Sequence, residues 1–291
     1  MQFIVDNEHD GLSLSKYVLS KANDIPSWAV REAFRNRDVK IDGQRAKEND
    51  LVHAGQSVTI YLPKRYLTAE RKVLPVLYED QRILAVEKPQ GLLSIGESGS
   101  EEGDSAYQRA KAYIKNKGED ESALRLCHRL DVMTGGILIL AKDEETYELM
   151  TEAFAGHELK KTYICRVKGC PMKKEAILEG WLRKDPKAAL VSITDYPVSR
   201  AVPIQTRYKV LEAGEISRLE VELITGKTHQ IRAHLSHIGH PILGDDKYGD
   251  RDLNRRFGLR RQQLWHARVS FSCSGILSYL NRRDIRSKAP F

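Results

Sequence analysis

The stretch that decides the fold is residues 126–142, which read L-C-H-R-L-D-V-M-T-G-G-I-L-I-L-A-K. The apolar run 137–141 predicts a buried strand, because a short continuous apolar run is typical of a strand covered on both faces. A Thr-Gly-Gly turn precedes this run, and Asp131 stands just before the turn, near Arg129. A neighbouring cation favours the charged form of a carboxylate, so Asp131 is a candidate nucleophile or base. A turn-capping aspartate in a structural ion pair is the alternative.

A second informative stretch, residues 223–249, reads L-I-T-G-K-T-H-Q-I-R-A-H-L-S-H-I-G-H-P-I-L-G-D-D-K-Y-G. Ile231, Leu235 and Ile238 follow helical spacing and are predicted to face the core. His229 and Arg232, three residues apart, then share another face near the start of the helix. This position predicts that Arg232 holds an anionic group, and a surface arginine paired with any nearby acid is the alternative.

The same stretch has partial features of two kinds of cofactor site. A phosphate-binding loop around Gly226-Lys227-Thr228 requires a glycine at position 221, which is valine. Four histidines cluster between residues 229 and 240, but no H-E-x-x-H motif and no paired cysteines accompany them. We therefore predict neither a bound nucleotide, nor a metal, nor any other cofactor.

Residues 159–169, L-K-K-T-Y-I-C-R-V-K-G, have the alternation of a strand. Lys160 and Lys161 precede Tyr163, whose ring is a candidate for either core packing or chemistry. Further strands are predicted at 189–194, 205–211 and 216–224, and a helix at 105–117. Strands outnumber helices and often follow one another directly, which predicts an α+β protein with a mixed, mainly antiparallel sheet.

Residues 12–62 predict a compact unit of two helices, a hairpin at Asp42-Gly43 and a closing strand. Arg31, Arg35 and Arg37 lie on or just after its second helix. We predict a small α/β domain over residues 1–63, a linker at 64–73 and a larger domain over 74–291. The three arginines are candidate RNA contacts, and a solvated helix face is the alternative.

The 291 residues carry a net charge of +7, placed unevenly. Residues 251–291 hold ten Lys or Arg against two acids, and residues 159–187 hold nine against three. Two concentrated basic regions predict a polyanionic partner, most simply a nucleic acid. No apolar run is long enough for a transmembrane helix, no signal peptide is visible, and the four cysteines include no C-x-x-C pair. We expect a cytoplasmic protein with reduced thiols, with neither a membrane association nor an obligate protein partner.

Several segments together resemble the RluA-type pseudouridine synthases. They are H-R-L-D-x-x-T-G-G, K-K-T-Y, T-G-K-T-H-Q-I-R-x-H-L-x-x-I-G-H-P-I-L-G-D-x-x-Y-G, and Y-E-D-x-x-I-L-A-V-E-K-P-x-G-L at 78–92. This resemblance covers residues 73–275 and implies the pseudouridine synthase fold for the larger domain. The small domain resembles the alpha-L RNA-binding domain named after ribosomal protein S-four.

The resemblance implies a role for individual residues. Asp131 is the implied catalytic aspartate, Tyr163 the active-site tyrosine and Arg232 the partner of Asp131. Leu243 is implied as an apolar wall of the uracil pocket, and Arg129 as the residue that enters the RNA where the target base leaves. The remaining predicted RNA contacts are His128, Lys160, Lys161 and His229, with Arg31, Arg35 and Arg37.

The implied reaction is the isomerisation of specific uridines to pseudouridine in structured RNA, with ribosomal RNA expected and transfer RNA as the other candidate. Two other functions are retained for comparison. One is an RNA-binding or ribosome assembly factor without catalysis, and the other is a glycosidase that releases the base through Asp131. Departures from the family pattern, such as Thr-Gly-Gly in place of Thr-Ser-Gly, leave the RNA target open.

Overall fold

A computed structural model of the chain describes residues 1–22, 27–62, 73–96, 104–156, 158–185 and 190–291. The chain divides into two compact units, Met1–Val73 with Ile95–Ala110, and Leu74–Ser94 with Lys111–Phe291. All of the predicted linker except Val73 lies outside the described residues. The predicted domain boundaries therefore stay predictions.

The first unit contains a small antiparallel sheet and two helices. The strands are β1 (Gln2–Ile4), β2 (Val39–Ile41), β3 (Gln44–Arg45) and β4 (Ser57–Ile60), in the order β1-β4-β2-β3. Helices α1 (Leu14–Lys21) and α2 (Ser27–Arg35) contribute Leu14, Tyr17 and Val30 to its core. The turn between β2 and β3 has positive φ at Asp42 and Gly43, as expected for an Asp-Gly hairpin.

The second unit is built on a large sheet. Its strands are β5 (Val76–Glu79), β6 (Ile83–Lys88), β7 (Arg125–Leu126), β8 (Gly135–Ala141), β9 (Leu159–Lys168), β10 (Glu175–Asp185), β11 (Leu190–Thr194), β12 (Val202–Glu212), β13 (Ile216–Leu223), β14 (Leu264–Phe271) and β15 (Asp284–Arg286). Their order is β11-β10-β12-β13-β9-β14-β8-β6-β5, with β15 on β14 and β7 on β8. The pairing of β14 with β8 is parallel and the other neighbours are antiparallel. The predicted mainly antiparallel α+β architecture is confirmed.

Helices α3 (Ala106–Asn116), α4 (Glu144–Ala155), α5 (Gln230–His237) and α6 (Arg251–Arg256) complete the described regular structure, with 3-10 turns at Asn7–His9 and Gly275–Arg282. Asp143 is the N-cap of helix α4, and its side chain accepts a hydrogen bond from the backbone N–H of Thr146, a normal N-cap arrangement. Within the described residues, no helix is both long and apolar enough to cross a bilayer.

Strand β8 lies at the centre of the larger unit, and every one of its residues is buried. Ile137 and Ile139 pack with Met150 of α4 and Val269 of β14 in one apolar cluster. The core therefore fixes the start of β8, which is the end that follows Asp131.

The glycine pair at the start of β8 is required by close packing. A Cβ on Gly135 would lie 2.2 Å from the Trp265 ring, and a Cβ on Gly136 would lie 2.2 Å from the carbonyl oxygen of His266. Gly136 also has φ +110°, a backbone region that L residues rarely adopt. The two glycines allow β8 and β14 to pair directly behind the Asp131 loop.

Gly136→Ala is expected to lower the free energy of unfolding by about 3 kcal/mol or more, because backbone strain costs about 1–2 kcal/mol and overpacking about 1–3 kcal/mol. Gly118 is the matched control, since it has φ +78° but nothing lies within 4 Å of a Cβ added there. Gly118→Ala should therefore show the strain alone, about 1–2 kcal/mol. Urea unfolding of both variants measures the difference, and equal losses would contradict the packing argument.

Candidate active site

The loop from Leu130 to Thr134 carries Asp131 and is fixed by the segment that follows β6. The Ser94 hydroxyl accepts from the backbone N–H of Leu130 and lies 2.9 Å from its carbonyl oxygen. The N–H of Gly91 donates to the carbonyl of Val132 at 2.8 Å. Such fixed bonds hold the Asp131 backbone in one position before any substrate arrives.

Lys88 lies under the same loop and is fully buried. Its ammonium donates to the carbonyl oxygens of Pro89, Leu92 and Val132, at 2.7–3.1 Å. Burial lowers the pKa of Lys88 to about 7, and the charge of Asp131 opposes this shift. Lys88 therefore ties both sides of the loop together.

The carboxylate of Asp131 is held by Arg232 of helix α5, 101 positions later in the chain. The Arg232 Nη1 donates to Oδ2 of Asp131 at 2.9 Å. No hydrogen bond reaches Oδ1 of Asp131 from any described residue, and the side chain is 25% exposed. One oxygen is thus anchored while the other is available to a substrate.

Arg232 is itself fixed by a second carboxylate. Its Nε and Nη2 donate to the two oxygens of Asp245 at 2.7 and 2.9 Å, a bidentate geometry that lysine cannot provide. Burial alone would lower the pKa of Arg232, but the bonds to Asp245 and the charge of Asp131 raise it. Burial likewise opposes the charged form of Asp245, and Arg232 outweighs it, so the pKa of Asp245 is lowered. A buried ion pair therefore orients the carboxylate of Asp131.

Two aromatic groups line the site from β9 and β14. The ring of Tyr163 is buried and stacks on His266, with centroids 4.5 Å apart. Burial, with a further contribution from Asp131, raises the pKa of Tyr163 above its usual value. The Nδ1 of His266 donates to the carbonyl of Ile137 at 2.7 Å, while its buried Nε2 has no partner among the described residues. Tyr163 is thus a neutral phenol whose ring stacks on the fixed ring of His266.

The buried His266 gives a pH prediction. Burial lowers the pKa of His266 from 6.5 to about 4, so the unfolded chain takes up a proton before the folded one does. The associated stability is present above pH 6.5 and is lost as pH falls towards 4, at most about 3 kcal/mol. His266→Phe should therefore flatten the dependence of unfolding free energy on pH over this range. Urea unfolding at several pH values tests this, and parallel curves for the two proteins would contradict it.

The predicted RNA contacts of the larger unit occupy different environments. His128 accepts a hydrogen bond at Nε2 from the N–H of Ile139 and packs on Phe154. Arg129 is exposed and has no hydrogen-bond or ion-pair partner among the described residues. Lys160 is also exposed and pairs with Glu222 on the sheet face opposite Tyr163. Their RNA contacts remain predictions.

Lys161 and Leu243 are both buried. Lys161 shares the Tyr163 face of β9, and burial lowers its pKa. Its ammonium lies 5.8 Å from the centre of the Phe154 ring. The backbone of Leu243 bonds to Arg166 of β9 and to Gln263 before β14. These bonds fix the segment that leads into Asp245. Its place in a uracil pocket remains a prediction.

Arg31, Arg35 and Arg37 belong to the other compact unit. Arg31 and Arg35 are exposed on α2, and Arg37 is exposed in the turn after it, with φ 60°. Their predicted contact with RNA therefore depends on that unit alone.

Several side chains of the site did not stand out in the sequence. No periodic pattern marks Asp245, Tyr248 or His266, and Lys88 reads as an ordinary charged residue at a strand end. A buried charge beside a turn leaves no periodic signal, so only the resemblance of 78–92 and 223–249 pointed to the regions of Lys88, Asp245 and Tyr248, and neither segment includes His266. The described residues contain no group of three or more His, Cys, Asp or Glu side chains placed to hold a metal ion.

The family model described as RNA pseudouridylate synthase matches residues 82–237. These residues include the Asp131 loop, Tyr163 and Arg232. The chain belongs to the RNA pseudouridylate synthase family. It is an RNA pseudouridine synthase, an isomerase, and the predicted resemblance is confirmed.

Relatives of similar length support this membership. The chain is 29% identical over 289 residues to the ribosomal large subunit pseudouridine synthase C of Vibrio parahaemolyticus, covering 93% of this chain and 88% of the relative. It is 28% identical over 287 residues to the protein of the same name from Escherichia coli strain K12, covering 91% and 86%.

Solved structures support the fold of this synthase. Human RNA Pseudouridylate Synthase Domain Containing 4 superposes with a TM-score of 0.60 at 23% identity, covering 74% of this chain and 88% of that structure. Human RNA Pseudouridylate Synthase Domain Containing 1 gives a TM-score of 0.59 at 20% identity, covering 75% and 83%.

Proposed function

We propose that this synthase isomerises specific uridines of ribosomal RNA, with Asp131 as the catalytic carboxylate and Arg232 as its partner. The observation that carries the proposal is the 2.9 Å bond between these two side chains, which lie 101 residues apart. The names of the relatives support ribosomal RNA as the substrate class. A cytoplasmic location is part of the proposal, because bacterial ribosomes are assembled there.

The reaction breaks the N1–C1′ bond of uridine, turns the uracil and joins C5 to C1′. C5 then loses a proton and N1 gains one, so the product is an isomer of the substrate. Both addition of a carboxylate to C1′ and removal of a hydrogen from C2′ require an unprotonated oxygen at the sugar. Oδ1 of Asp131 fits this requirement, since Arg232 occupies the other oxygen.

Tyr163 is proposed to pack against the uracil and to take part in the loss of the C5 proton. Because its pKa is raised, the phenol is protonated at neutral pH and accepts the C5 proton only by passing its own to another base. Its fixed stacking on His266 supports the packing role. Packing against the uracil and taking part in the loss of the C5 proton are thus compatible roles for Tyr163.

A stacked uridine must leave the helix to reach Asp131, at a cost of a few kcal/mol. Arg129, exposed and two residues before Asp131, is proposed to fill the space that the base leaves. Leu243 is proposed as the apolar wall of the uracil pocket. Of the other predicted contacts, the exposed side chains are proposed to act along the RNA backbone: Lys160, with Arg31, Arg35 and Arg37 of the small unit.

Two assays test the proposal. Stops caused by carbodiimide-modified pseudouridine, mapped across total RNA from cells with and without this protein, should locate the target in ribosomal RNA. Ribosomal RNA transcribed with 5-tritiated uridine should release tritium when the purified protein is added. Binding without tritium release would favour an assembly factor, and free uracil with an abasic site would favour a glycosidase.

Arg260 and Arg261 give a further prediction about RNA binding. Both are exposed without an acidic partner among the described residues, and the next residue, Gln262, donates to the Thr134 hydroxyl beside the Asp131 loop. Replacing both by Gln should weaken RNA binding and reduce the slope of log affinity against log salt by about 1.5, the effect of two phosphate contacts.

The matched control is the double change Arg282→Gln and Arg283→Gln, which removes the same charge near Asp80 and Tyr78, beside the far end of β8. Its salt slope should stay within about 0.3 of the parent protein's. Filter binding at 50 to 200 mM salt measures both variants. Equal slopes for the two double variants would show that the charge near Thr134 has no special role.

A further inference from the structure

His229 adopts a left-handed backbone conformation at the start of helix α5. It is the N-cap of helix α5 with φ 57° and ψ 13°, and its side chain makes no capping hydrogen bond. Non-glycine residues rarely adopt this left-handed region, and they persist there when surrounding contacts hold them in place. We therefore expect contacts of the His229 side chain to hold this backbone conformation.

Tyr248 fixes the tautomer of His229. The hydroxyl of Tyr248 accepts from the backbone N–H of Val191 at 2.8 Å and lies 3.0 Å from Nδ1 of His229. Within the described residues, Nδ1 is the one acceptor available to the hydroxyl's own hydrogen. We assign Nδ1 as the acceptor, which puts the proton of the neutral imidazole on Nε2.

The Nε2–H of His229 faces the catalytic carboxylate without touching it. Nε2 lies 3.8 Å from Oδ2 of Asp131, and the two side chains are 13% and 25% exposed. This separation is too long for a hydrogen bond but suits one oxygen that bonds to both groups. Burial, opposed by the charge of Asp131, lowers the pKa of His229, in agreement with a neutral donor.

We propose that His229 recognises the 2′-hydroxyl of the target uridine, which accepts from Nε2–H and donates to Asp131. This inference rests on the proposed function, because it needs a ribose at Asp131. The 2′-hydroxyl is both donor and acceptor, and it is the group that distinguishes RNA from DNA. It is attached beside C1′, so this contact also sets the reacting carbon against Oδ1 of Asp131. His229 is then a specificity-determining residue, and Tyr248 is a positioning residue acting through it.

The test is a double-mutant cycle that combines a change of the His229 side chain with removal of the 2′-hydroxyl from the substrate. An oligoribonucleotide with the mapped target is compared with the same strand carrying 2′-deoxyuridine at that position, both tritiated at C5. For the parent protein, kcat/KM should fall roughly tenfold to a hundredfold on removal of the hydroxyl, the effect of one or two hydrogen bonds. In His229→Asn this ratio should drop to about threefold or less, because the hydroxyl has already lost its donor.

Asparagine is chosen at position 229 to remove the contact with the 2′-hydroxyl while keeping the fold. Asparagine tolerates left-handed backbone and can keep a bond to Tyr248, but its side chain ends short of the Nε2 position. His229→Gln reaches that position and should recover part of the ratio. Tyr248→Phe should lower the ratio as well, mainly through kcat, since the packing of the ring is kept.

Two failures are distinguishable. A parent protein that releases no tritium from the ribose substrate would refute the proposed function and this inference with it. An active parent whose discrimination ratio is unchanged in His229→Asn, or in His229→Gln and Tyr248→Phe if the first variant does not fold, would refute the role of His229 alone.

Discussion

Asp131→Asn is expected to reduce tritium release by at least about a thousandfold, the scale observed when a catalytic side chain is removed from an enzyme. Asparagine has the same shape and its amide oxygen can accept the bond from Arg232, so the loop held by Ser94 and Gly91 should keep its structure. What is lost is the negative oxygen at the sugar. RNA affinity should stay within a few-fold, because the phosphate contacts are unchanged.

Asp246→Asn is the matched control for this change. Asp246 also lies by Arg232, 3.3 Å from Nη2, but its side chain is 71% exposed and points to solvent. The same loss of charge at the neighbouring carboxylate should leave turnover within about threefold. Single-turnover release with equal amounts of RNA bound compares the two variants, and comparable rates would remove Asp131 from the chemistry.

Arg232→Leu is expected to cost about 3–5 kcal/mol of folding free energy, because it leaves the buried carboxylate of Asp245 without its bidentate partner. The same change frees Asp131 from its anchor, so turnover should fall together with stability. Arg232→Lys should recover part of the stability but little of the turnover, since an ammonium cannot bond to both carboxylates in the same planar geometry.

A double variant separates these two losses. Replacing Arg232 and Asp245 by leucine together removes both members of the buried pair, and stability should recover by several kcal/mol relative to the single variant. Turnover should stay low, because Asp131 still lacks its guanidinium. Urea unfolding and tritium release on the same preparations provide the test. Recovery of both properties would mean that Arg232 serves the fold alone.

Part of the fold followed from local pattern. The buried strand at 137–141 is contained in β8, the helix predicted at 105–117 is α3, and the helix that carries Arg232 is α5 with Ile231 and Leu235 buried. In each case the spacing of apolar residues within the element shows which of its faces are buried. The element could therefore be predicted from its own residues, without its tertiary contacts.

Other elements could not be predicted in this way. Strand β10 is mostly exposed along one face and reads E-A-I-L-E-G-W-L-R-K-D, so it lacks an apolar run that would mark it. No strand is predicted in the basic region 251–291, although β14 lies there with Trp265 and His266 buried. Strand β10 is specified by its pairing with β11 and β12. Strand β14 is specified by its pairing with β8 and β9, which lie far earlier in the sequence.

By itself, the sequence determined the class of fold, the family and the candidate catalytic residues, because these depend on composition, spacing and motif order. The tertiary structure alone decided how these residues are arranged. It brought Arg232 to Asp131, buried Asp245 behind them and turned Nε2 of His229 towards the same carboxylate. The contacts of Arg232 and His229 with Asp131 join segments about a hundred residues apart, and their energies depend on burial and on atomic distance, neither of which is encoded in local sequence.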